Sequence, residues 1–238
     1  MPWTILDTGI APAQQNMDTD LQLLHSLDKA TEPILHLYDW EGDAATFGYF
    51  IEPQSWLQME AVAVHDLKLA RRPTGGGIIF HTTDFAFSAL VPHSHCSFSL
   101  NTLENYAYIN NIVAKAVERF IGKRLRAVLL SEEPLPFDGH CQQFCMAKPT
   151  KYDLMLEGLK VGGAAQRRVR AGFLHQGSIA LSMPSEEYLR AILLPNTSVV
   201  EAMQHHSCLL LGPCAKTIQL QTARKTIKAL LIEEVKKL

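Results

Sequence analysis

Residues 71–77 combine two arginines with three consecutive glycines. Glycine has no Cβ, so such a run lets the backbone adopt positive φ and brings its N–H groups close to a ligand. The arginines are permanent cations whose planar guanidinium groups pair with carboxylate or phosphate. The spacing matches neither the Walker nor the dinucleotide-binding pattern. The segment therefore indicates either a cradle for an anionic or acyl ligand, or a tight turn flanked by two solvated arginines.

A second glycine-containing segment, residues 157–168, places Lys160 between two apolar neighbours just after a predicted turn. This alternation predicts that the lysine side chain projects from one face of a strand. Gly162, Gly163 and Gln166 follow Lys160 directly. An exposed lysine on a strand edge often serves only to prevent edge-to-edge pairing. Both a functional and a purely structural role are therefore open for Lys160.

Cys145 lies in a predicted loop close to Lys148 and Lys151. Neighbouring cations favour the thiolate, which is the nucleophilic form of cysteine. The alternative is a buried and unreactive thiol, the usual state of an isolated cysteine. His140 and Cys141 lie close by, but the ligand spacing of a zinc site is absent, so we expect no metal.

A series of short strands with interspersed helices must position these segments. Alternating apolar residues predict strands, and apolar residues at three- and four-residue steps predict helices. The predicted strands are 3–6, 34–40, 46–50, 67–72, 78–81, 84–91, 128–130, 152–156, 159–163 and 172–181, and the predicted helices are 13–30, 55–61, 103–120, 185–194 and 217–238. Together they predict an α+β fold with a mostly antiparallel mixed sheet flanked by helices.

Composition excludes several classes of protein. The chain has 238 residues, 47% of them hydrophobic, and a formal net charge of −2. That balance is typical of a globular protein and lacks the basic excess that binds nucleic acid. No apolar run approaches the roughly 20 residues that cross a bilayer, and the N-terminus lacks a signal-peptide pattern. With irregularly spaced cysteines as well, we expect a cytoplasmic protein that binds neither nucleic acid nor membrane.

Taken in order, these segments resemble the catalytic domain of the biotin/lipoate protein ligase family, and specifically its lipoate branch. The resemblance runs from Trp3 to about Pro195 and rests on residues 71–81, on residues 160–167 and on residues 175–179. It implies an enzyme that places an octanoyl or lipoyl group on a lysine of a lipoyl carrier domain. The implied carriers are of the 2-oxoacid dehydrogenase E2 type or the glycine cleavage H type. We expect a catalytic domain at residues 1–195 and a helical extension of the same body at residues 196–238.

The resemblance also assigns site residues. Lys160 would contact the acyl carbonyl and the phosphate or thioester. The other residues expected to bind substrate are Arg71, Arg72, Gly75, Gly76, Gly77, His81, Gly162, Gly163, Gln166 and His175. Two positions depart from the family pattern. Residues 175–178 read His-Gln-Gly-Ser where the family's transferases usually have Gln-His-Gly-Ser, and Gly163 stands where Ala or Ser is common.

Two chemistries are open within that family. Its cysteine-dependent octanoyltransferases carry a loop cysteine seven residues before a Tyr-acid-Leu triplet, and Cys145 precedes residues 152–154 by that spacing. Cys145 would then accept an octanoyl group from acyl carrier protein as a thioester, with no cofactor. Lipoate–protein ligases instead use ATP and Mg²⁺ to form lipoyl-adenylate, and many carry an accessory domain for which few residues follow Pro195. A non-catalytic paralogue that binds lipoyl domains or acyl chains is the third possibility.

Overall fold

A seven-stranded sheet forms the centre of the molecule. The structure is a computed structural model that describes residues 2–122, 128–130, 132–151 and 153–238. Side by side, the strands of this sheet are β1 (Thr4–Ala11), β2 (Ile34–Trp40), β6 (Asp84–Pro92), β10 (Gly172–Ala180), β9 (Leu159–Val169), β8 (Leu154–Leu156) and β7 (Val128–Leu129). β1 and β2 are parallel, and every other neighbouring pair is antiparallel.

A three-stranded sheet carries the first glycine segment. Its order is β4 (Lys68–Arg71), β3 (Ala44–Phe47) and β5 (Ile79–Phe80). β3 is parallel to β4 and antiparallel to β5, so the glycines join the two outer strands across the end of β3. Gly48 follows β3 there, and a Cβ on Gly48 would lie 2.0 Å from the carbonyl oxygen of Gly76. The glycine loop therefore folds directly over the end of β3.

Helices pack against both sheets. In the described residues they are α1 (Ala13–His25), α2 (Met59–Val64), α3 (Thr102–Ile121), α4 (Glu186–Ile192), α5 (Val199–His206) and α6 (Thr217–Val235). α3 and α6 contribute Val113, Val117 and Ile227 to the main core, which also contains Leu35 and Phe87 from the sheet. Burial of such side chains stabilises the fold by roughly 1.5–3 kcal/mol each.

Most of the predicted elements are confirmed, including the α+β class. Ser185 caps α4 as expected by accepting a hydrogen bond from Tyr188 N. The turn at Glu157 and Gly158 is also confirmed, with φ values of 51° and 84°. Such paired positive φ angles are what a tight two-residue hairpin requires.

Several predicted boundaries were wrong: the helix predicted at 13–30 ends at His25, and the strand predicted at 46–50 is β3 at Ala44–Phe47. β1 extends to Ala11 because it pairs with β2 along its whole length. β9 continues to Val169 because β10 supplies hydrogen-bond partners for polar residues that show no strand-like alternation. The helix predicted at 55–61 is α2 at 59–64, preceded by a separate 3-10 turn at Pro53–Ser55. The predicted extension at 196–238 contains α5 as well as α6, and Tyr152, the first residue of the strand predicted at 152–156, lies outside the described residues.

Candidate active site

A cavity of about 380 Å³ lies between the two glycine segments. This volume is in the range of small-molecule sites, about 300–1,000 Å³. The predicted site residues that line it are Arg72, Gly75, Gly76, Gly77, His81, Cys145, Lys160, Gly163 and Gln166. Three segments that are far apart in the sequence therefore meet at one cavity.

Arg71, Gly162 and His175 are not part of the cavity wall. The guanidinium group of Arg71 donates to the carbonyl oxygens of Tyr49 and Ile51 and pairs with a carboxylate of the same loop. Gly162 packs against the neighbouring strand, where a Cβ would lie 3.0 Å from the carbonyl oxygen of Ser178. These three predicted residues support the wall from behind or from beside it.

Arg72 holds the glycine loop in place from inside the protein. Its buried guanidinium group donates to the carbonyl oxygens of Gly75 and Gly77 at 3.1 and 2.7 Å, and to both oxygens of Thr46. In a trans peptide the N–H points opposite to the C=O, so the N–H of Gly76 points away from Arg72. Within the described part of the chain, the N–H groups of Gly76 and Gly77 donate no hydrogen bond. They are unused donors in the cavity wall.

The loop that carries Cys145 is fixed against the glycine loop by two main-chain hydrogen bonds. Cys145 N donates to Ile78 O at 2.8 Å, and Ile78 N donates to Gln143 O at 2.6 Å. A Cβ on Gly77 would lie 2.3 Å from Gln143 O, so only glycine permits this approach. The Sγ of Cys145 lies 4.0 Å from the position that a Cβ would take on Gly76. The thiol therefore lies beside Gly76, one of the two residues whose N–H groups are unused.

Lys160 is a buried cation, 2% exposed, paired with Asp153. Its Nζ lies 2.7 Å from Asp153 Oδ2 and also donates to the carbonyl oxygen of Cys145. Asp153 is further fixed by the N–H of Thr150 at 2.6 Å. Burial raises the pKa of Asp153, and the ammonium group opposes that shift. An ammonium has three N–H donors, so one remains for a ligand in the cavity.

Gly163 makes room for this ion pair. A Cβ at that position would lie 2.9 Å from Lys160 Cε and 3.0 Å from Asp153 Oδ1. Glycine thus replaces the Ala or Ser common in the family at a position where a side chain would press against Lys160 and Asp153.

His81 forms a rigid part of the wall. Its Nδ1 lies 2.8 Å from Asp84 Oδ2, its Nε2 lies 2.8 Å from Thr46 Oγ1, and its ring stacks on Trp40 with centroids 4.3 Å apart. Since both ring nitrogens have protein partners, His81 shapes the cavity and does not offer a free base.

The order His175-Gln176 has a structural consequence, because successive residues of a strand face opposite sides. Gln176 faces the cavity and accepts a hydrogen bond from Thr74 Oγ1 at 2.7 Å. Its Nε2 donates to the buried carboxylate of Asp20 at 2.6 Å. His175 lies on the other face, fully buried, with Nδ1 2.8 Å from Gln166 Nε2. Burial lowers the pKa of His175 to about 3, so its ring is neutral at physiological pH.

Sequence reasoning missed two functional features of the site. Asp153 was noted only as the acid of the Tyr-acid-Leu triplet, although it is the partner of Lys160. Gln176, which ties the glycine segment to α1 through Thr74 and Asp20, carried no signal of its own. A long-range side-chain pair leaves no spacing pattern in a single sequence.

The described residues contain no group of three or more His, Cys, Asp or Glu side chains arranged to hold a metal ion. Among the same residues, every helix is too short or too polar to span a bilayer.

Comparison with known proteins identifies close similarities. The model of the lipoyl protein ligase A/B catalytic domain matches residues 12–229. Octanoyltransferase LipM of Geobacillus kaustophilus is 31% identical over 206 residues, which cover 85% of this chain and 73% of that protein. Octanoyltransferase LipM of Bacillus subtilis is 28% identical over 233 residues, covering 95% of this chain and 84% of that protein.

A solved structure shares the fold. The bipartite lipoate protein ligase of Thermoplasma acidophilum matches with a TM-score of 0.68 at 18% identity, covering 100% of this chain and 93% of that one. The expected resemblance and the mixed-sheet fold are thus confirmed.

Proposed function

The chain belongs to the lipoyl protein ligase A/B catalytic-domain family, and from this premise we propose that it transfers an octanoyl group from acyl carrier protein to a lysine of a lipoyl carrier domain. The observation that carries the proposal is the position of the Cys145 thiol in the cavity beside Gly76, with Lys160 donating a hydrogen bond to the carbonyl oxygen of Cys145. The octanoyltransferase activity of the LipM relatives supports it. The proposed acceptors are lipoyl domains of the dehydrogenase E2 type or the glycine cleavage H type.

In the first step, the Cys145 thiolate attacks the carbonyl carbon of the octanoyl thioester. A new S–C bond forms, the carrier's S–C bond breaks, and the carrier leaves as a thiol after taking up a proton. The carbonyl oxygen becomes negative in between. The N–H groups of Gly76 and Gly77 and the third N–H of Lys160 are the donors available to stabilise it. One such donor typically contributes about 2.7–4 kcal/mol.

In the second step, the neutral amine of the acceptor lysine attacks the octanoyl-Cys145 thioester. An amide bond forms, the thioester bond breaks, and the thiol of Cys145 is regenerated with the proton that the amine loses. Exchange between thioesters needs no ATP, so this mechanism requires no cofactor. ATP and Mg²⁺ would be needed only for the alternative route through lipoyl-adenylate.

The remaining predicted residues have positioning roles in this proposal. Arg72 and Arg71 fix the glycine loop and the loop beside it. Gln166 and His175 brace β9, and Gly162 and Gly163 allow close packing around Lys160. Residues 196–238 are proposed to belong to the same body, since α6 packs against α3 in the main core. A cytoplasmic location suits a mechanism that depends on a reduced thiol.

The test compares two acyl sources. We expect octanoyl-carrier protein to modify a lipoyl domain with the wild-type chain and with Cys96→Ser, an exposed-cysteine control, but not with Cys145→Ser. Modification by Cys145→Ser with octanoate, ATP, Mg²⁺ and pyrophosphatase would show a ligase and overturn the transferase proposal. A folded wild-type chain that modifies the domain from neither source would indicate the non-catalytic paralogue.

A further inference from the structure

Three arginines near the end of β9 carry positive charge that no acidic side chain balances. Arg167, Arg168 and Arg170, here called the arginine strip, form no salt bridge with any described residue. Arg119 and Arg190, by contrast, each pair with two glutamates, and Arg72 and Arg224 donate to protein oxygens in the interior. On a chain with a net charge of −2, an unbalanced group of three cations indicates a partner of opposite charge.

The arginine strip follows directly on a residue of the cavity wall. Gln166, which lines the cavity, directly precedes it in β9. Arg167 donates to the carbonyl oxygen of Pro73, in the same segment as the glycine loop, at 3.2 Å. Arg168 donates to the carbonyl oxygen of Leu100, just before α3. Arg167 therefore extends toward the glycine segment, and Arg168 extends toward the start of α3.

The acidic side chain at the start of α3 forms no salt bridge with the arginine strip. Glu104 is the acidic residue in the first turn of α3, and its carboxylate accepts hydrogen bonds from Ser99 Oγ and Asn101 Nδ2. Leu100 is 81% exposed and Leu103 is 42% exposed. The surface thus combines cations with exposed apolar side chains, a composition that suits a protein partner.

We propose that the arginine strip docks an acidic carrier protein that presents the octanoyl thioester on an arm joined through a phosphodiester. This inference rests on the proposed transferase function and names the partner that the strip receives. Guanidinium groups pair well with phosphate and carboxylate oxygens. The acceptor domain must instead deliver a lysine amine, and three neighbouring arginines would repel the cationic form of that group. The strip therefore fits the acyl donor and not the acceptor.

The test uses charge reversal at the two exposed arginines, which do not line the cavity. Formation of the acyl-enzyme is measured with octanoyl-carrier protein and, separately, with octanoyl-pantetheine, which has neither the protein nor the phosphate. For Arg168→Glu/Arg170→Glu we expect kcat/KM to fall about tenfold or more with the carrier protein, because opposed charges set the association rate. With octanoyl-pantetheine the change should stay within about twofold, a margin typical of surface substitutions.

The matched control is Lys115→Glu/Lys225→Glu, which makes the same change in net charge at two exposed lysines of α3 and α6. It should leave both reactions nearly unchanged. An equal fall with both donors, or no fall with the carrier protein, would overturn the docking proposal. A loss confined to transfer from preloaded octanoyl-enzyme to the lipoyl domain would assign the strip to the acceptor, and would also overturn it.

Binding without turnover separates failure of docking from failure of the transferase function. Octanoyl-carrier protein is titrated against wild type and the double reversal, and Kd is compared at low and high salt. If the double reversal binds the carrier protein more weakly than wild type and with less dependence on salt, the result supports docking on the arginine strip. This holds even if wild type transfers no acyl group, and in that case only the transferase proposal fails. Equal binding by both overturns docking whatever the activity.

Discussion

The two glycine segments use the same residue for different physical reasons. In the loop, a Cβ on Gly77 would overlap main-chain oxygen of the Cys145 loop at 2.3 Å. In β9, a Cβ on Gly163 would meet the flexible end of Lys160 at 2.9 Å. Main chain held by hydrogen bonds cannot retreat, whereas the end of a lysine can shift. Gly77 therefore allows the close main-chain contact that positions the Cys145 loop, and Gly163 provides space for the Lys160 side chain.

Removing the side chain that Gly163 accommodates should have the largest effect. Lys160→Met is expected to lower kcat by on the order of 10²–10³, because the reaction loses a donor to the developing oxyanion. It also leaves Asp153 buried without its partner, which costs about 3–5 kcal/mol of folding stability if the carboxylate stays charged. Steady-state kinetics and urea unfolding measure the two effects.

The double variant Lys160→Met/Asp153→Asn separates catalysis from stability. It should regain much of the lost free energy of unfolding but none of the activity. Recovery of activity together with stability would mean that Lys160 has only a structural role.

Gly77→Ala tests the loop side of the comparison. We expect a fall of about 100-fold in acyl-enzyme formation, because displacement of the Cys145 loop by about 1 Å is enough for that loss. Gly75→Ala is the matched control, since a Cβ there meets nothing within 4 Å. Similar rates for the two variants would show that the main-chain contact does not position the thiol.

Gly163→Ala should lower kcat by less than about tenfold, which is a smaller fall than for Gly77→Ala, because the end of the Lys160 side chain can move by a few tenths of an ångström. Its folding stability should fall by about 1–3 kcal/mol, as is typical when a tightly packed site receives an extra methyl group. Comparing kcat of both alanine variants in one assay ranks the two regions directly. An equal loss of kcat in the two variants would contradict the view that Gly77 avoids a fixed main-chain contact whereas Gly163 avoids a movable side chain.

The smallest expected effect is on the pH dependence of folding stability, and it comes from His175, which braces β9. The pKa of His175 is lowered to about 3 by burial, whereas an unfolded histidine titrates near 6.5. Between these values the unfolded state binds a proton that the folded state does not, so acidification lowers stability. The change should be about 2 kcal/mol between pH 7.5 and pH 5. Urea unfolding of the wild type at the two pH values should show this loss of stability. The loss should be smaller in His175→Gln and the same as in the wild type in His25→Gln, a control at an exposed histidine. Equal pH dependence in all three would contradict this role.

Sequence alone predicted the parts of the site that depend on residue type and spacing. Cys145, Lys160 and the loop glycines each lie in a recognisable pattern, and all of them line the cavity, while their catalytic roles stay predictions. The pairing of Asp153 with Lys160 was not found, since it depends on the register of β8 and β9. The extension of β9 beyond Gly163 was missed for the same reason. Polar residues there form a strand only because β10 pairs with them.

His175 shows how a one-residue exchange decides which side chain reaches the site. The order His175-Gln176 places Gln176 toward the cavity and turns the imidazole, which the resemblance assigned to the substrate, to the other face of the strand. Facing is set by packing against Phe87 and Tyr106, whose rings lie near His175 at centroid distances of 6.1 and 5.6 Å. Neither contact is visible in a local pattern.

The most direct test of the central claim is the intact mass of the chain after brief mixing with octanoyl-carrier protein in the absence of a lipoyl domain. We expect wild type to gain the mass of one octanoyl group, to release it on addition of the lipoyl domain, and to map it to Cys145. Cys145→Ala should gain nothing. Modification of a lipoyl domain at wild-type rate by Cys145→Ala, or an octanoyl adduct on another residue, would contradict the proposed thioester mechanism.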